Sequence, residues 1–234
     1  MSGNTMSPRY AAIILDLDGT MVDTIGDFVA ALNASLNGCG LASAPPASIR
    51  KWIGRGGEHL LREAAAHANQ DSRDEVLLQR LRDGFYTHYG VINGQHAQVF
   101  DGVEHGLTSW RDAGVALACV TNKPEGHARD LLANKGLDGF FADRVWGGDS
   151  LVEKKPSALP LLTACAHMGV LPSQSLMVGD SQTDHGAAVA ADMDVALLAW
   201  GYNNDQDIVE LPAVFHGDNF HSLLAFTGVV ARAA

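Results

Sequence analysis

The chain has 234 residues, 47% of them hydrophobic, which is enough to bury a sizeable core and excludes disorder along most of its length. A formal charge of -11 gives a surface that repels a nucleic-acid backbone over most of its area and leaves room only for a local positive pocket. Cys39, Cys119 and Cys165 show no zinc or disulfide spacing, the start MSGNTMSPRY lacks the apolar stretch of a secretory signal, and no apolar run approaches the roughly 18 residues that cross a bilayer, so a cytoplasmic protein with reduced thiols and no membrane or nucleic-acid partner is expected.

Residues 11–15, AAIIL, form a short apolar run that stops at an acidic, glycine-containing turn, the pattern of a buried parallel strand. From Val22 to Asn93 the patterning is helical, without a convincing strand, and far too long for a connection. Helices are predicted over 24–37, 46–53, 57–69 and 72–89, punctuated by the Gly38 to Gly40 stretch and by Pro45-Pro46. Strand patterns then return. VALACV at 115–120 runs into Thr121, SLMV at 175–178 into Gly179, and VALLAW at 195–200 into Gly201, with RVW at 144–146 a weaker candidate. Between the first two, Pro124 suits a first helical position and Gly136 a stop, with Ala128, Leu131 and Leu132 on one apolar face. The alternation predicts an α/β fold, a doubly wound (Rossmann-like) parallel sheet with right-handed crossovers. Residues 1–21 and 95–234 are expected to form that core, and residues 22–94 an inserted helical domain.

Two clusters of acidic residues follow strand patterns. In Asp16-Leu17-Asp18-Gly19-Thr20 the carboxylates lie two residues apart at a strand end and project to one side. In Gly179-Asp180-Ser181-Gln182-Thr183-Asp184 the second carboxylate falls one helical turn beyond the first. Taken alone, the second segment reads equally as helix-capping chemistry, since Asp and Ser are favoured at helix starts. Together, the carboxyl ends of neighbouring parallel strands converge on one crevice. Four carboxylates there are tolerable beside a hard cation, and oxygen ligands with waters are what Mg²⁺ prefers. Thr121, with backbone amides at a helix start, either caps that helix or receives phosphate oxygens. Lys155 precedes Pro156, which disfavours helix at the lysine and suits a junction between loop and helix; Lys154 reads as a surface lysine.

The order Asp-x-Asp-Gly-Thr, strand-end Thr, Lys-Pro, then Gly-Asp-Ser with a further Asp resembles the haloacid dehalogenase superfamily, from about residue 10 to 226. Gly147-Gly148-Asp149-Ser150-Leu151 running into Lys154-Lys155-Pro156, followed by Gly201-Tyr202-Asn203, is similar to its phosphoglycolate phosphatase branch. The helical insertion is placed like that branch's cap, and Trp52-Ile53-Gly54-Arg55-Gly56-Gly57 like its specificity loop. The resemblance implies a Mg²⁺-dependent phosphomonoesterase, monomeric or dimeric, for a small phosphorylated metabolite such as 2-phosphoglycolate. By the same resemblance Asp16 is the nucleophile, which forms an aspartyl-phosphate, and Asp18 the general acid and base. Thr121, Asn122 and Lys155 hold the phosphoryl group, and Arg55 and Gly56 contact the rest of the substrate. The metal falls to Asp16, Asp18 through its backbone carbonyl, and Asp180, with Asp184 behind them orienting waters or Lys155.

Three positions depart from the pattern: Arg55, Asp101 and Asp192, the last where a helix-ending glycine is usual. Other readings are a phosphatase of sugar or amino-sugar phosphates, a sugar phosphomutase, and a catalytically silent binding module. A dehalogenase has no use for Asp18 and Asp180. Phosphonate cleavage needs a cap lysine, and Lys51, the one lysine of the insertion, reads as a helix-surface residue. His127 and His185 also read as helix-surface residues.

Overall fold

Each apolar run becomes a strand of one sheet in the computed structural model, which describes residues 8–203 and 208–229; residues 1–7 of the polar start lie outside the described residues. The chain opens with β1 (Ala12–Leu15), β2 (Val22–Asp23), α1 (Ile25–Gly38), α2 (Pro46–Trp52), α3 (Gly57–His67), α4 (Glu75–Ile92) and β3 (Gln98–Val99). It continues through α5 (Val103–Asp112), β4 (Ala116–Val120), α6 (Glu125–Asn134), α7 (Asp138–Phe141), β5 (Val145–Trp146) and α8 (Leu159–Met168). It ends in β6 (Ser175–Gly179), α9 (Gln182–Ala190), β7 (Asp194–Leu198), β8 (Phe215–Gly217) and α10 (Phe220–Phe226). No described helix is long and apolar enough to cross a membrane.

The main sheet runs β5-β4-β1-β6-β7-β8 with every pairing parallel. Alternate residues of the strands feed two separate cores. Ile13, Leu15, Leu117, Cys119, Leu176 and Val178 pack with Leu107, Trp110, Leu131 and Leu223 on one face. Ile14, Ala118, Val120, Met177 and Val195 pack with Leu161, Ala164 and Ala188 on the other. Both faces being covered explains why these strands are apolar without alternation. Because β1 lies between β4 and β6, the chain leaves it in two directions, and the carboxyl ends of these three strands border the switch point where open α/β sheets place their ligands.

Helices α1 to α4 build a third core from Leu32, Leu36, Leu60, Leu61, Leu81 and Phe85, joined by Tyr202 from beyond β7. The chain enters and leaves this insertion through a two-stranded antiparallel ribbon in which Val22 faces Val99 and Asp23 faces Gln98. Two residues per strand are too few for a periodic signal, so the sequence showed no strand there. The edge strand β8 was hidden for a similar reason, having three residues with His216 at its centre.

Helix ends differ by a few residues from expectation. The fourth begins at Glu75 because Asp74 caps it, accepting from the backbone N–H of Val76 at 3.0 Å and of Leu77 at 3.2 Å. Pro124 stands at the cap of α6 rather than in its first turn, and Asp149 Oδ1 accepts from Glu125 N at 2.7 Å. Asp192, just past α9, has φ of 52°, the left-handed region that favours glycine. An L-residue there costs about 1–2 kcal/mol, less for Asp, and glycine loses some of that gain through its freer unfolded chain. Asp192→Gly is therefore expected to stabilise the fold by about 0.5–1 kcal/mol, read from denaturant midpoints at unchanged slope.

Candidate active site

Asp16 leaves the end of β1 with its N–H donating to Val178 O of β6 at 2.9 Å, which fixes it at the sheet edge. Two residues on, Asp18 shares its side of the chain, and both side chains are buried. From the end of β6 come Asp180 and, in the first turn of α9, Asp184, both buried. The two acidic clusters meet. Oxygens of Asp16, Asp180 and Asp184 lie within 4.8 Å of one another.

The capping reading of Asp184 and the catalytic one turn out to be compatible. Its Oδ2 accepts from the backbone N–H of Asp180 at 3.2 Å and of Ser181 at 3.1 Å, and from Ser181 Oγ at 2.6 Å. Its Oδ1 accepts from Lys155 Nζ at 2.7 Å. Both oxygens are thus engaged within the protein, which suits a residue that orients Lys155. Asp180 Oδ1 accepts from Thr20 Oγ1 at 2.6 Å and its Oδ2 from the backbone N–H of Tyr202. Glycines make this packing possible: Gly19 has φ of 85°, and a side chain at Gly201 would run into the Asp180 carboxylate.

Buried charges are balanced only in part. Four buried carboxylates, Asp16, Asp18, Asp180 and Asp184, meet two buried ammonium groups, Lys155 and Lys123. Lys155 Nζ lies 2.9 Å from Asp16 Oδ1; burial opposes its charge, but Asp16 and Asp184 outweigh that and hold its pKa above the usual lysine range. Burial pushes the Asp16 carboxyl up to about 6, against the pull of Lys155, with Asp184 pushing further. Asp180 is raised as well, first by burial and then by Asp184 and Asp16. Such a surplus of negative charge, built wholly from oxygen donors, fits a hard divalent cation. Asp18 could reach that cation only through its backbone, since its carboxylate points to Lys123.

Thr121 ends β4, is buried, and its Oγ1 accepts from Lys123 N at 3.3 Å, so the hydroxyl turns into its own loop. Asn122 Nδ2 donates to Lys155 O at 2.9 Å, tying the β4 loop to the Lys-Pro loop. Gly147 and Gly148 lie against the backbone of residues 122–125, where a side chain on either would collide. A cavity of about 40 Å³ opens between these loops and the inserted helices, lined by Asp16, Asp18, Thr121, Asn122 and Lys123 below and by Phe28, Leu60 and Tyr89 among others above.

The loop Trp52-Ile53-Gly54-Arg55-Gly56-Gly57 lies at the cavity through its glycines. Gly54, Gly56 and Gly57 line the cavity, whereas Arg55 is exposed and is not among the lining residues. Lys154 is exposed, with its ammonium against Gly56. Among the residues passed over, His127 is not a plain helix-surface residue: it lines the cavity and stacks on Tyr86, ring centroids 5.7 Å apart. Arg50 was also missed; its Nη2 donates to Trp200 O and Gly201 O, each at 2.8 Å, and its guanidinium sits over the Tyr202 ring. Tyr202 Oη donates to Asp23 Oδ1 at 2.6 Å and accepts from Thr24 N at 2.7 Å. The loop that holds Asp180 is therefore bonded to the entrance of the insertion and to α2. Lys123, two residues after Thr121, carried no assignment from the sequence. Its Nζ lies 2.8 Å from Asp18 Oδ1 and 3.0 Å from Oδ2.

Residues 13–198 match the family model described as haloacid dehalogenase-like hydrolase. A protein of Cupriavidus necator named "Phosphoglycolate phosphatase, plasmid" is 40% identical over 202 residues, 85% of this chain and 84% of its own. A "Phosphoglycolate phosphatase" of Nitrosospira multiformis is 38% identical over 200 residues, covering 86% of this chain and 88% of its own. Among solved structures, one titled as a predicted phosphoglycolate phosphatase of Haemophilus somnus superimposes with a TM-score of 0.88 at 31% identity, over 94% of this chain and 98% of that one.

Proposed function

The chain belongs to the haloacid dehalogenase-like hydrolase family, and from that premise we propose that it is a magnesium-dependent phosphatase of small phosphomonoesters, with 2-phosphoglycolate the leading candidate. The observation that carries the reading is Asp16. It is buried at a strand end, held 2.9 Å from Lys155, and flanked by Asp18, Asp180 and Asp184. A nucleophile that must approach an anionic phosphate needs positive charge beside it, which Lys155 supplies and which the surrounding carboxylates would complete by holding a divalent cation.

In this reading Asp16 attacks phosphorus, the bond to the leaving alkoxide breaks, and an aspartyl-phosphate forms. Asp18 delivers the proton to the leaving oxygen and later takes one from the water that hydrolyses the intermediate. Lys155 neutralises charge on the phosphoryl oxygens, while the Thr121 hydroxyl and the Asn122 amide supply donors to it. Asp16, Asp180 and the Asp18 backbone would hold Mg²⁺, which when bound offsets the charge of nucleophile and phosphate together. Asp184 keeps Lys155 in place from behind. The inserted helices shut the site from bulk water, and the narrow cavity favours a small ester. We place the boundary of this cap at the β2–β3 ribbon, slightly beyond the 22–94 span.

The test is phosphate release from p-nitrophenyl phosphate and from 2-phosphoglycolate with Mg²⁺, abolished by EDTA and restored by added metal. Absence of release from any phosphomonoester would favour a binding module instead. Titration of Asp16 adds a second expectation. With its carboxyl pushed up to about 6 before metal binds, a proton must be displaced below that pH. The apparent Mg²⁺ affinity is expected to be level above about pH 7 and to fall by up to about tenfold per unit below about pH 6, measured by calorimetry. A flat profile from pH 5 to 8 would contradict it.

A further inference from the structure

We infer that Lys123 receives the carboxylate of the substrate's leaving group and is the residue that makes this site prefer an acidic over a neutral leaving alcohol; the inference rests on the phosphatase reading above. Among the described residues lining the cavity, Lys123 is the one lysine or arginine, since Arg55 is exposed and outside it. His127 is kept neutral by burial and by Lys123 itself. Lys155 is engaged by both Asp16 and Asp184 and is not among the lining residues.

Position gives Lys123 its role. Its ammonium sits within 3.0 Å of both Asp18 oxygens, and Asp18 is the group assigned to the leaving oxygen. A charge there is separated from the scissile bond by the length of a very short alcohol. In an ester of a 2-hydroxy acid the carboxylate is borne by the carbon that carries the ester oxygen, so it falls beside this cation. In 3-phosphoglycerate the carboxylate lies a carbon further away, and in a neutral alcohol it is missing.

The walls are built for a compact anion. The rings of Phe28 and Tyr89 stand 4.9 Å and 4.7 Å from Lys123 Nζ and hold the ammonium in place from the cap side. Tyr89 is itself buried, lines the cavity, and its hydroxyl has no hydrogen-bond partner. Burial raises its pKa, so it stays a neutral donor. A buried donor without an acceptor is costly, and a carboxylate held by Lys123 would supply one. A cation and an idle hydroxyl therefore face the same small space from opposite domains, so the carboxylate would also bind the cap to the core.

The experiment compares 2-phosphoglycolate with its neutral amide, 2-phosphoglycolamide, as kcat/KM under saturating Mg²⁺. The wild type is expected to prefer the acid by about 10–100-fold, mainly through KM, as for a charge-assisted hydrogen bond. Lys123→Met is expected to bring the ratio of the two to within about threefold of unity, Lys123→Arg to keep most of it, and Tyr89→Phe to lower it by about 2–10-fold. Arg55→Ala is expected to leave the ratio in place. Should Lys123→Met fail to fold, the Lys123→Arg and Tyr89→Phe ratios still decide. Hydrolysis of both esters without preference, or a preference that survives in Lys123→Met and Tyr89→Phe, would overturn the inference and leave the phosphatase reading intact. No hydrolysis of either ester would overturn both.

Discussion

Replacing Asp16 by asparagine is expected to lower turnover of any phosphomonoester by at least about 10⁴-fold, because the amide can neither attack phosphorus nor form the covalent intermediate. The same substitution is expected to stabilise the metal-free fold, and the sign follows from the carboxyl's position. In the unfolded chain Asp16 titrates near the ordinary 3.8, and in the fold it is pushed up to about 6 by burial against the opposing pull of Lys155. A group with a raised folded pKa supports the fold fully below the unfolded value and loses that support as pH rises through the folded one. At pH 8 in EDTA the charged Asp16 is thus a burden of up to about 3 kcal/mol that asparagine does not carry. Denaturant titrations of the two proteins at pH 4 and pH 8 check this. The variant should gain at pH 8 and not at pH 4. A nucleophile held at a cost to stability is expected at a site poised to bind both a cation and a phosphate.

Lys155→Met should have the largest effect on the fold itself. The side chain is 2% exposed and bridges Asp16 and Asp184 at 2.9 Å and 2.7 Å. Its removal leaves two buried carboxylates without their cation, and breaking a buried pair from one side costs about 3–5 kcal/mol. Activity should fall with it, by about 10³-fold or more, since the phosphoryl group loses a preorganised cation. The loss of stability is expected to be worse in EDTA than in Mg²⁺, because a bound divalent ion relieves part of the same repulsion. A variant that is as stable as the wild type in EDTA would mean that the carboxylates around Asp16 are not strained.

The sheet could be read from the sequence because its strands are buried on both faces: AAIIL, VALACV and SLMV admit few other states. The acidic clusters were equally visible, since their spacing at strand ends carries the chemistry. What stayed hidden depends on pairs far apart in the chain. Lys123 lies within the strand-end motif, but only its contact with Asp18, 105 residues away, gives it meaning. The link from Asp180 to Tyr202 spans 22 residues, and the one from Tyr202 to Asp23 spans 179. Arg55 illustrates a different gap: it lies exposed in a glycine-rich loop outside the cavity lining, and such a loop leaves the direction of a side chain undetermined by sequence. Asp192 was noted as a departure from glycine, and its positive φ supplies the physical reason.

The central claim is that phosphate passes through a bond to Asp16, and a rapid acid quench of the enzyme with Mg²⁺ and a radiolabelled phosphomonoester tests it most directly. The account predicts label on the protein within the first turnover, released by hydroxylamine as an acyl phosphate should be, and confined after digestion to the peptide that carries Asp16. Phosphate release that proceeds at the full rate with no labelled protein, or with the label on a peptide lacking Asp16, would contradict it.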